Sequence, residues 1–226
     1  MCSELRNRMR LRTEPSRPEG EKDAGVLILL KADKNDLKVL LTIRSMNLRR
    51  HPGEVCFPGG MFDDDDGSMD ETAMRETHEE VGLSKSSYKV LGYIPPFRAR
   101  FGVLIHPTVA MIRERPIFRL NADEVDSVFW ISLDRFLSSE HHVSYTLDYG
   151  YTFHAFLFDE AITFGVTAFM CIVAAIGAAG KTPEFDVLSY LKKDDFKATD
   201  YANVLDTVYK MAGLKYDFDT NPFSKL

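Results

Sequence analysis

The sequence predicts an α/β fold, with strands and helices built into one domain. Three observations predict it: short apolar runs typical of strands, an acidic helix that ends at a glycine, and a long uncharged segment suited to a buried helix. The 226 residues, 45% of them hydrophobic and 27% charged, suffice for one sizeable core. We expect a flexible, mobile or loosely helical lead-in at residues 1–22, one domain at 23–215 and a tail at 216–226.

The composition excludes several classes of protein. A net charge of −6 argues against a general nucleic-acid or membrane-surface binder, so no nucleic acid is expected as a partner. Cys2, Cys56 and Cys171 are odd in number and lack C-x-x-C spacing, which predicts neither a disulfide framework nor a zinc site. Cys56 is interpreted as a small buried residue rather than a nucleophile, because no base is placed for it by the sequence.

The predicted strands are short apolar runs separated by turns. Residues 25–30 and 39–43 are two such runs with a turn between them, which predicts a pair of strands, the first buried on both faces. Further strands are predicted at residues 88–94 and 103–112, and a hairpin at residues 143–147 and 151–158.

The last apolar segment, residues 161–180, is nearly uncharged and about as long as a membrane span. It is rich in Ala and Gly and contains Thr163 and Thr167, so its apolarity is modest. We expect a buried core helix and no membrane span, with a transmembrane anchor as the alternative. Amphipathic helical pieces are predicted beyond it, at residues 186–191 and 201–211.

The acidic helix that ends at Gly82 is the most informative element. At 3.6 residues per turn, Glu76 and Glu80 lie one turn apart on one face, with Glu79 beside them. Like charges at this spacing destabilise a helix, so the cluster is favoured if a hard cation such as Mg²⁺ or Mn²⁺ neutralises it. From spacing alone, a solvated acidic face is the alternative.

A basic pair and an irregular loop precede this helix. Arg44 and Arg49 follow the second predicted strand, and their planar guanidinium groups suit paired hydrogen bonds to phosphate, although surface arginines are the alternative. The loop that contains Phe57, Gly59 and Gly60 cannot be regular, because its prolines lack a donor and its glycines permit unusual backbone angles. Such a loop can bring backbone N–H groups close to phosphate oxygens.

Two motifs resemble known signatures. Residues 75–83, RETHEEVGL, resemble the REUxEExGU core of the Nudix box, with Thr77 as a loose fit. The full box begins G-x5-E-x7-RE, whereas fourteen residues separate Gly60 from Arg75 here and Asp66 is the nearest substitute for the first Glu. Residues 40–60, LLTIRSMNLRRHPGEVCFPGG, resemble LLTxRSx3Rx3Gx3FPGG, the signature of the coenzyme A-cleaving Nudix subfamily, at every specified position.

The resemblance implies a Nudix fold, with a mixed β-sheet sandwiched between α-helices, and a magnesium- or manganese-dependent hydrolase. It implies cleavage of the pyrophosphate bond of coenzyme A and its thioesters to 3′,5′-ADP and phosphopantetheine or its acyl form. The alternatives are a Nudix hydrolase of another diphosphate, such as NADH or ADP-ribose, and a non-catalytic binding module. The intact set of three glutamates speaks against the binding module.

The same resemblance implies a role for each motif residue. Glu76 and Glu80 are the expected metal ligands, Glu79 is a third ligand or the base that deprotonates water, and Arg75 orients these carboxylates. The expected substrate-binding residues, with the two arginines meeting the phosphates, the 3′-phosphate included, are Arg44, Arg49, Phe57, Gly59 and Gly60.

Four further positions are weaker candidates. Arg98 and Arg100 could hold the nucleotide end, or could belong to a surface hairpin. The strand expected at residues 124–131, before a short helix at 132–137, carries Glu124, which the resemblance offers as an aid to metal or base chemistry. His141 and His142 are expected to be solvent residues, because metal-assisted phosphate chemistry does not call for imidazole.

Both ends of the sequence have features that resemble targeting signals. The Arg-rich first 22 residues are too rich in acid and too poor in Ser for a mitochondrial presequence. The last three residues, Ser224-Lys225-Leu226, match a peroxisomal address that an import receptor reads. The sequence therefore predicts the peroxisomal matrix as the location and that receptor as a partner.

Overall fold

The computed structural model describes residues 1–15, 22–34, 36–99, 102–146, 152–188, 193 and 204–205. Two short 3₁₀ helices lie at Lys85–Ser87 and Leu133–Leu137. The other elements, in chain order, are α1 (Cys2–Arg8), β1 (Asp23–Asp33), β2 (Asp36–Arg44), β3 (Val55–Cys56), β4 (Gly59–Met61), α2 (Met69–Val81), β5 (Tyr88–Tyr93), β6 (Phe97–Arg98), β7 (Leu104–Ile112), β8 (Val125–Ser132), β9 (His142–Thr146), β10 (Thr152–Leu157), β11 (Ile162–Phe164) and α3 (Gly165–Ala179).

The main sheet is mixed, as predicted. Its strand order is β3-β2-β1-β7-β5, with β4 on β1, β6 on β7 and β8 on β2. β1 and β7 run parallel, whereas β1 pairs antiparallel with β2 and β4. Successive side chains of β1 point to opposite faces, so Leu27 and Leu29 pack with α2, while Ile28 and Leu30 belong to the cluster that contains α3. The prediction of a sheet between helices is confirmed.

Helix α2 confirms the predicted acidic helix and its stop. It ends at Gly82, which has φ 75° and donates its N–H to the carbonyl oxygen of His78, the left-handed cap that glycine adopts without strain. Ala73 and Val81 of α2 are fully buried against the sheet. This packing fixes the rotation of the helix and turns its carboxylates towards the glycine loop.

Helix α3 confirms the buried helix predicted within residues 161–180. All of its residues from Thr167 to Ala178 are buried, and its side chains form much of the main core. The first residues of the apolar segment form strand β11 instead. Among the described residues, no helix combines the length and the apolarity needed to cross a membrane.

The first residues pack more tightly than a mobile lead-in would. Leu5 and Met9 are 2% and 0% exposed and join the main core. Arg12 and Tyr93 exchange backbone hydrogen bonds of 2.9 and 3.1 Å, which ties the segment to β5. At the other end, residues 186–188 are not helical and residues 204–205 are, while the rest of the two predicted C-terminal pieces and the tail lie outside the described residues.

A second, antiparallel sheet has the order β11-β10-β9 and confirms the predicted hairpin, whose turn lies outside the described residues. The expectation that His142 is a solvent residue is wrong. Its ring stacks on Phe185 with centroids 3.6 Å apart, and its Nε2 lies 2.9 Å from Nδ1 of His154. The Nε2 of His154 lies 2.9 Å from the carbonyl oxygen of Val187. Because a carbonyl only accepts, His154 donates to Val187 and accepts from His142.

This histidine pair should make the fold sensitive to acid. Burial, and then the neighbouring His154, lowers the pKa of His142 from 6.5 to about 4. The unfolded chain therefore takes up a proton that the folded chain refuses, and stability is lost as the pH falls from 6.5 towards 4. Between pH 7 and 4.5, urea unfolding should show the wild type losing ~1–2 kcal/mol more than His142→Gln, a value discounted for partial exposure. Parallel pH curves for the two proteins would contradict this.

Candidate active site

The glycine loop packs directly against two carboxylates of α2. Glu80 is 3% exposed, and its Oε2 accepts a hydrogen bond of 3.1 Å from the backbone N–H of Gly59. A Cβ atom at Gly60 would lie 2.4 Å from Cδ of Glu76, so a larger residue at this position would displace that carboxylate. The two glycines predicted to approach phosphate are thus in contact with the glutamates predicted to bind metal.

Burial makes this pair of carboxylates difficult to ionise. Burial raises the pKa of Glu80 to about 8, with Glu76 adding to the rise and the Gly59 N–H and Arg44 opposing it. Burial also raises the pKa of Glu76, against the hydrogen bond from Arg75. The protein itself therefore offsets too little of the negative charge of these two carboxylates. A bound proton or a bound cation would stabilise the pair.

Arg75 holds the carboxylates from the other side. Its Nε and Nη2 donate to Oδ1 and Oδ2 of Asp66 at 3.0 and 2.9 Å, and its Nη1 donates to Glu76 and Glu79 at 2.8 and 3.2 Å. These bonds raise the pKa of Arg75, Asp66 contributing most. The predicted orienting role matches this geometry.

Asp66 is the residue whose importance the sequence understates. Its side chain is only 6% exposed, and the hydrogen bond from Arg75 lowers its pKa, whereas Asp63, Asp64 and Asp65 are exposed. The available signal was its position as the nearest substitute for the first acid of the box. In the structure it is the paired partner of Arg75 and faces away from bulk solvent.

The donor set fits a hard divalent cation by its chemistry, but not by its present side-chain orientations. Among the described residues, no group of three or more His, Cys, Asp or Glu side chains is arranged to hold a metal ion. Glu76 and Glu79 point towards Arg75, and Glu80 points towards the Gly59 N–H. Carboxylate oxygens are nevertheless the ligands that Mg²⁺ and Mn²⁺ prefer, and a cation would offset the cost of ionising the buried Glu76 and Glu80.

Arg44 lies at the edge of this corner with capacity to bind an anion. It ends β2 at a register shift, and its Nε is buried without a hydrogen-bond partner among the described residues. Its positive charge opposes the rise in the pKa values of Glu80 and Cys56, so its guanidinium lies near both groups. Burial raises the pKa of the Cys56 thiol to about 11, so the thiol stays protonated at neutral pH and is no nucleophile.

The other predicted substrate residues differ in placement. Arg49 is exposed and makes no hydrogen bond or ion pair with the described residues, so its side chain is available to a ligand. Phe57 differs from the expectation, because it is 2% exposed and lies in the main core, where it supports the loop from beneath. Its apolar side chain gains more from burial than from facing an anionic ligand.

The weaker candidates also separate. Glu124 is half-buried, and its charge raises the pKa values of both Glu76 and Glu80, so it lies near the carboxylate corner. Its carbonyl oxygen accepts the N–H of Ser45 at 2.9 Å. Arg98 is half-buried in β6, and Arg100 lies outside the described residues. His141 stays partly exposed, 3.9 Å from the carboxylate of Glu140.

Comparison with known proteins places the chain in a family. The family model described as the NUDIX domain matches residues 21–149. A Caenorhabditis elegans protein named peroxisomal coenzyme A diphosphatase ndx-8 is 51% identical over 222 residues, which cover 96% of this chain and 95% of that protein. The Mus musculus peroxisomal coenzyme A diphosphatase NUDT7 is 32% identical over 72% of each chain.

Among solved structures, a MutT/nudix family protein from Enterococcus faecalis is similar with a TM-score of 0.48 and 19% identity, covering 99% of this chain and 89% of that one. The family model covers more than half of the chain, and the first relative is half identical over almost all of it. This chain therefore belongs to the Nudix family.

Proposed function

We propose that this protein is a hydrolase that cleaves the pyrophosphate bridge of coenzyme A and its thioesters, yielding 3′,5′-ADP and phosphopantetheine or its acyl form. The observation that carries the proposal is 51% identity, along nearly the whole chain, to a relative whose name states that activity and a peroxisomal location. The site supports it, because buried carboxylates and a basic residue meet at the glycine loop. The peroxisome is the proposed location.

Nudix hydrolases depend on divalent metals, and we propose Mg²⁺ or Mn²⁺ for this chain, held by Glu76, Glu80 and Glu79. A bound cation would lower the pKa of a water molecule and would neutralise charge that develops on the pyrophosphate oxygens. The protein's own part is to hold the carboxylates close together, and the charge of the cation would keep them ionised against the effect of burial. Arg75, held by its two bonds to Asp66, directs Nη1 at Glu76 and Glu79 and so limits how far they can rotate.

The proton acceptor is proposed to be Glu79 when it does not serve as a third ligand. Its side chain is 49% exposed, so water reaches it, whereas Glu80 is closed off from solvent. Arg44, whose buried Nε has no hydrogen-bond partner in the part of the chain that the structure describes, is proposed to bind a bridging phosphate. A guanidinium in this position makes charge-assisted hydrogen bonds and is preorganised by the strand that carries it.

A substrate panel tests the proposal. Purified protein with Mg²⁺ or Mn²⁺ is incubated with coenzyme A, dephospho-CoA, NADH and ADP-ribose, and the products are separated by chromatography. We expect 3′,5′-ADP from coenzyme A at a higher kcat/KM than any cleavage of the other compounds. Preferred cleavage of NADH or ADP-ribose would identify another Nudix hydrolase, and absence of cleavage would identify a binding module.

Arg49→Ala should reveal how the 3′-phosphate is recognised. Because Arg49 is exposed and makes no hydrogen bond or ion pair with the described residues, its loss should leave the fold intact and raise KM for coenzyme A by roughly 10-fold, the effect of one charge-assisted hydrogen bond. Dephospho-CoA, which lacks the 3′-phosphate, should be affected little. The adjacent exposed Arg50→Ala is the matched control. Equal losses on both substrates would refute the assignment of Arg49 to the 3′-phosphate.

We also propose that a peroxisomal import receptor reads Ser224-Lys225-Leu226, which lie outside the described residues. A fluorescent protein is joined to the N-terminus, because the receptor reads the three residues only at a free C-terminus. The fusion should localise to peroxisomes, and removal of the three residues should leave it in the cytosol. Peroxisomal fluorescence after their removal would refute this route.

A further inference from the structure

The three-stranded sheet turns all but one of its large apolar side chains outward, the exception being the fully buried Phe156. Along β10 the polar Thr152 and His154 are 2% and 1% exposed, whereas Phe153 and Leu157 are 39% and 49% exposed. In β11 the pattern repeats, since Thr163 is fully buried between two exposed apolar neighbours. A sheet that faces water on one side normally shows the opposite alternation.

The strand register collects these side chains on one surface. Tyr145 lies opposite Phe153, and Leu157 lies opposite Ile162. Between these pairs, Ala155 lies opposite both Val143 and Phe164. We name as the outer apolar face the set Val143, Tyr145, Phe153, Leu157, Ile162 and Phe164.

This face concentrates the apolar exposure of the molecule. Its six side chains are 37% to 63% exposed, and they are six of the eleven large hydrophobic side chains exposed in the described part of the chain. None of the six is charged. Together they present on the order of 600 Å² to solvent, since an aromatic side chain alone contributes ~150–250 Å² when fully exposed. That is the upper end of what monomers expose in one patch, ~300–600 Å².

The area and composition of the face suit a second copy of the chain. A standard interface buries ~800 Å² on each partner, and about 65% of a homodimer interface is apolar, which amounts to ~500 Å² of apolar surface. The outer apolar face supplies that area of apolar surface, contains no charged side chain, and is rich in the Tyr and Phe that interfaces favour. We propose that two copies of this protein pack their outer apolar faces together about a twofold axis.

Other occupants fit less well. Small-molecule sites are concave, whereas this is the open face of a three-stranded sheet. Anionic membrane surfaces attract basic residues, but the exposed charged residues that follow Leu157 are Asp159 and Glu160. The anionic lipids would repel these two carboxylates. A twofold contact needs neither a cavity nor a basic rim, because each copy supplies the apolar surface that the other needs.

Sedimentation velocity of the full chain tests the proposal. The wild type should sediment at twice the monomer mass of 25.7 kDa. Ile162→Lys, at a side chain 55% exposed, should weaken dimerisation at least ~100-fold, because a twofold interface places the substitution in contact twice. The matched control is Ile117→Lys, which makes the same change at a position 82% exposed and outside the face; it should leave the dimer intact.

Three outcomes would overturn the proposal. One is a wild type that remains monomeric at about 100 µM, where a dimer of micromolar Kd would be assembled. The second is a dimer that Ile162→Lys leaves unchanged. The third is a monomeric wild type that floats with phosphatidylcholine vesicles, which would assign the face to a lipid surface. Circular dichroism of both variants checks folding, and because the readout is mass, this test fails or succeeds independently of the proposed hydrolysis.

Discussion

Replacing Glu80 by Gln is expected to lower kcat on coenzyme A by at least ~1,000-fold while the protein remains folded, since an amide cannot supply the ionised ligand that metal-assisted hydrolysis needs. The fold should survive because the amide oxygen can still accept the Gly59 N–H that now reaches Oε2 at 3.1 Å. The measurement is product formation by chromatography, beside thermal unfolding. Glu71→Gln is the matched control: it lies exposed in the first turn of the same helix, and its activity should stay within about twofold of wild type.

The same variant gives a second readout that does not depend on turnover. The pKa of Glu80 is about 8 in the folded protein against an ordinary 4.5, so the folded state keeps a proton that the unfolded state has released. Stability of the metal-free wild type should therefore be greatest below pH 4.5 and should be lost as the pH rises to 8, relative to Glu80→Gln. At pH 8, Mg²⁺ or Mn²⁺ should raise the unfolding temperature of the wild type more than that of the variant. Equal shifts would remove Glu80 from the metal site.

Gly59→Ala is expected to lower the free energy of unfolding by roughly 3 kcal/mol or more, because strain and a clash with main-chain atoms act together. Gly59 has φ +151°, and an added Cβ would lie 2.3 Å from the carbonyl oxygen of Gly25 and 2.6 Å from Cα of Val26. These are backbone atoms of β1 and cannot rotate away. Urea unfolding measures the loss.

A second glycine separates the clash from the backbone strain. Gly102 has φ +77°, but an added Cβ there would have no heavy atom within 4 Å. Gly102→Ala should therefore cost only ~1 kcal/mol, the strain of a left-handed conformation. If both alanine variants lost the same stability, close packing of β4 on β1 would not be the reason that glycine occupies position 59.

The sequence predicted the features of the site that depend on local spacing. A period of 3.6 residues places Glu76 and Glu80 on one face whatever the rest of the chain does, and a glycine in the left-handed region ends a helix by itself. The hydrogen bond from the Gly59 N–H to Glu80 joins residues 21 positions apart. The ion pair between Arg75 and Asp66 spans eight intervening residues, one more than separates the first acid from the Arg in the family pattern. Such contacts depend on how a loop folds over a helix, which no local pattern encodes.

The errors have the same origin. His142 was interpreted as a polar loop residue, yet its ring is covered by Phe185, some forty positions further along the chain. The docking of the first helix depends on two apolar side chains, Leu5 and Met9, spaced four apart on one face. Two such residues are too few to distinguish a packed helix from a polar lead-in by pattern alone. In each case a distant partner decided the burial.

The parallel pairing of β1 with β7 has a consequence for how the chain reaches this structure. It joins residues about 80 positions apart in sequence, so the chain loses the entropy of closing a long loop before the strand contacts can stabilise it. Folding should therefore be slow for a protein of this size. Helix α2 rests partly on Ala110 of β7. During synthesis, a nascent chain that stops before residue 104 would already hold all three glutamates of α2, yet would lack the strand that completes the surface on which their helix settles.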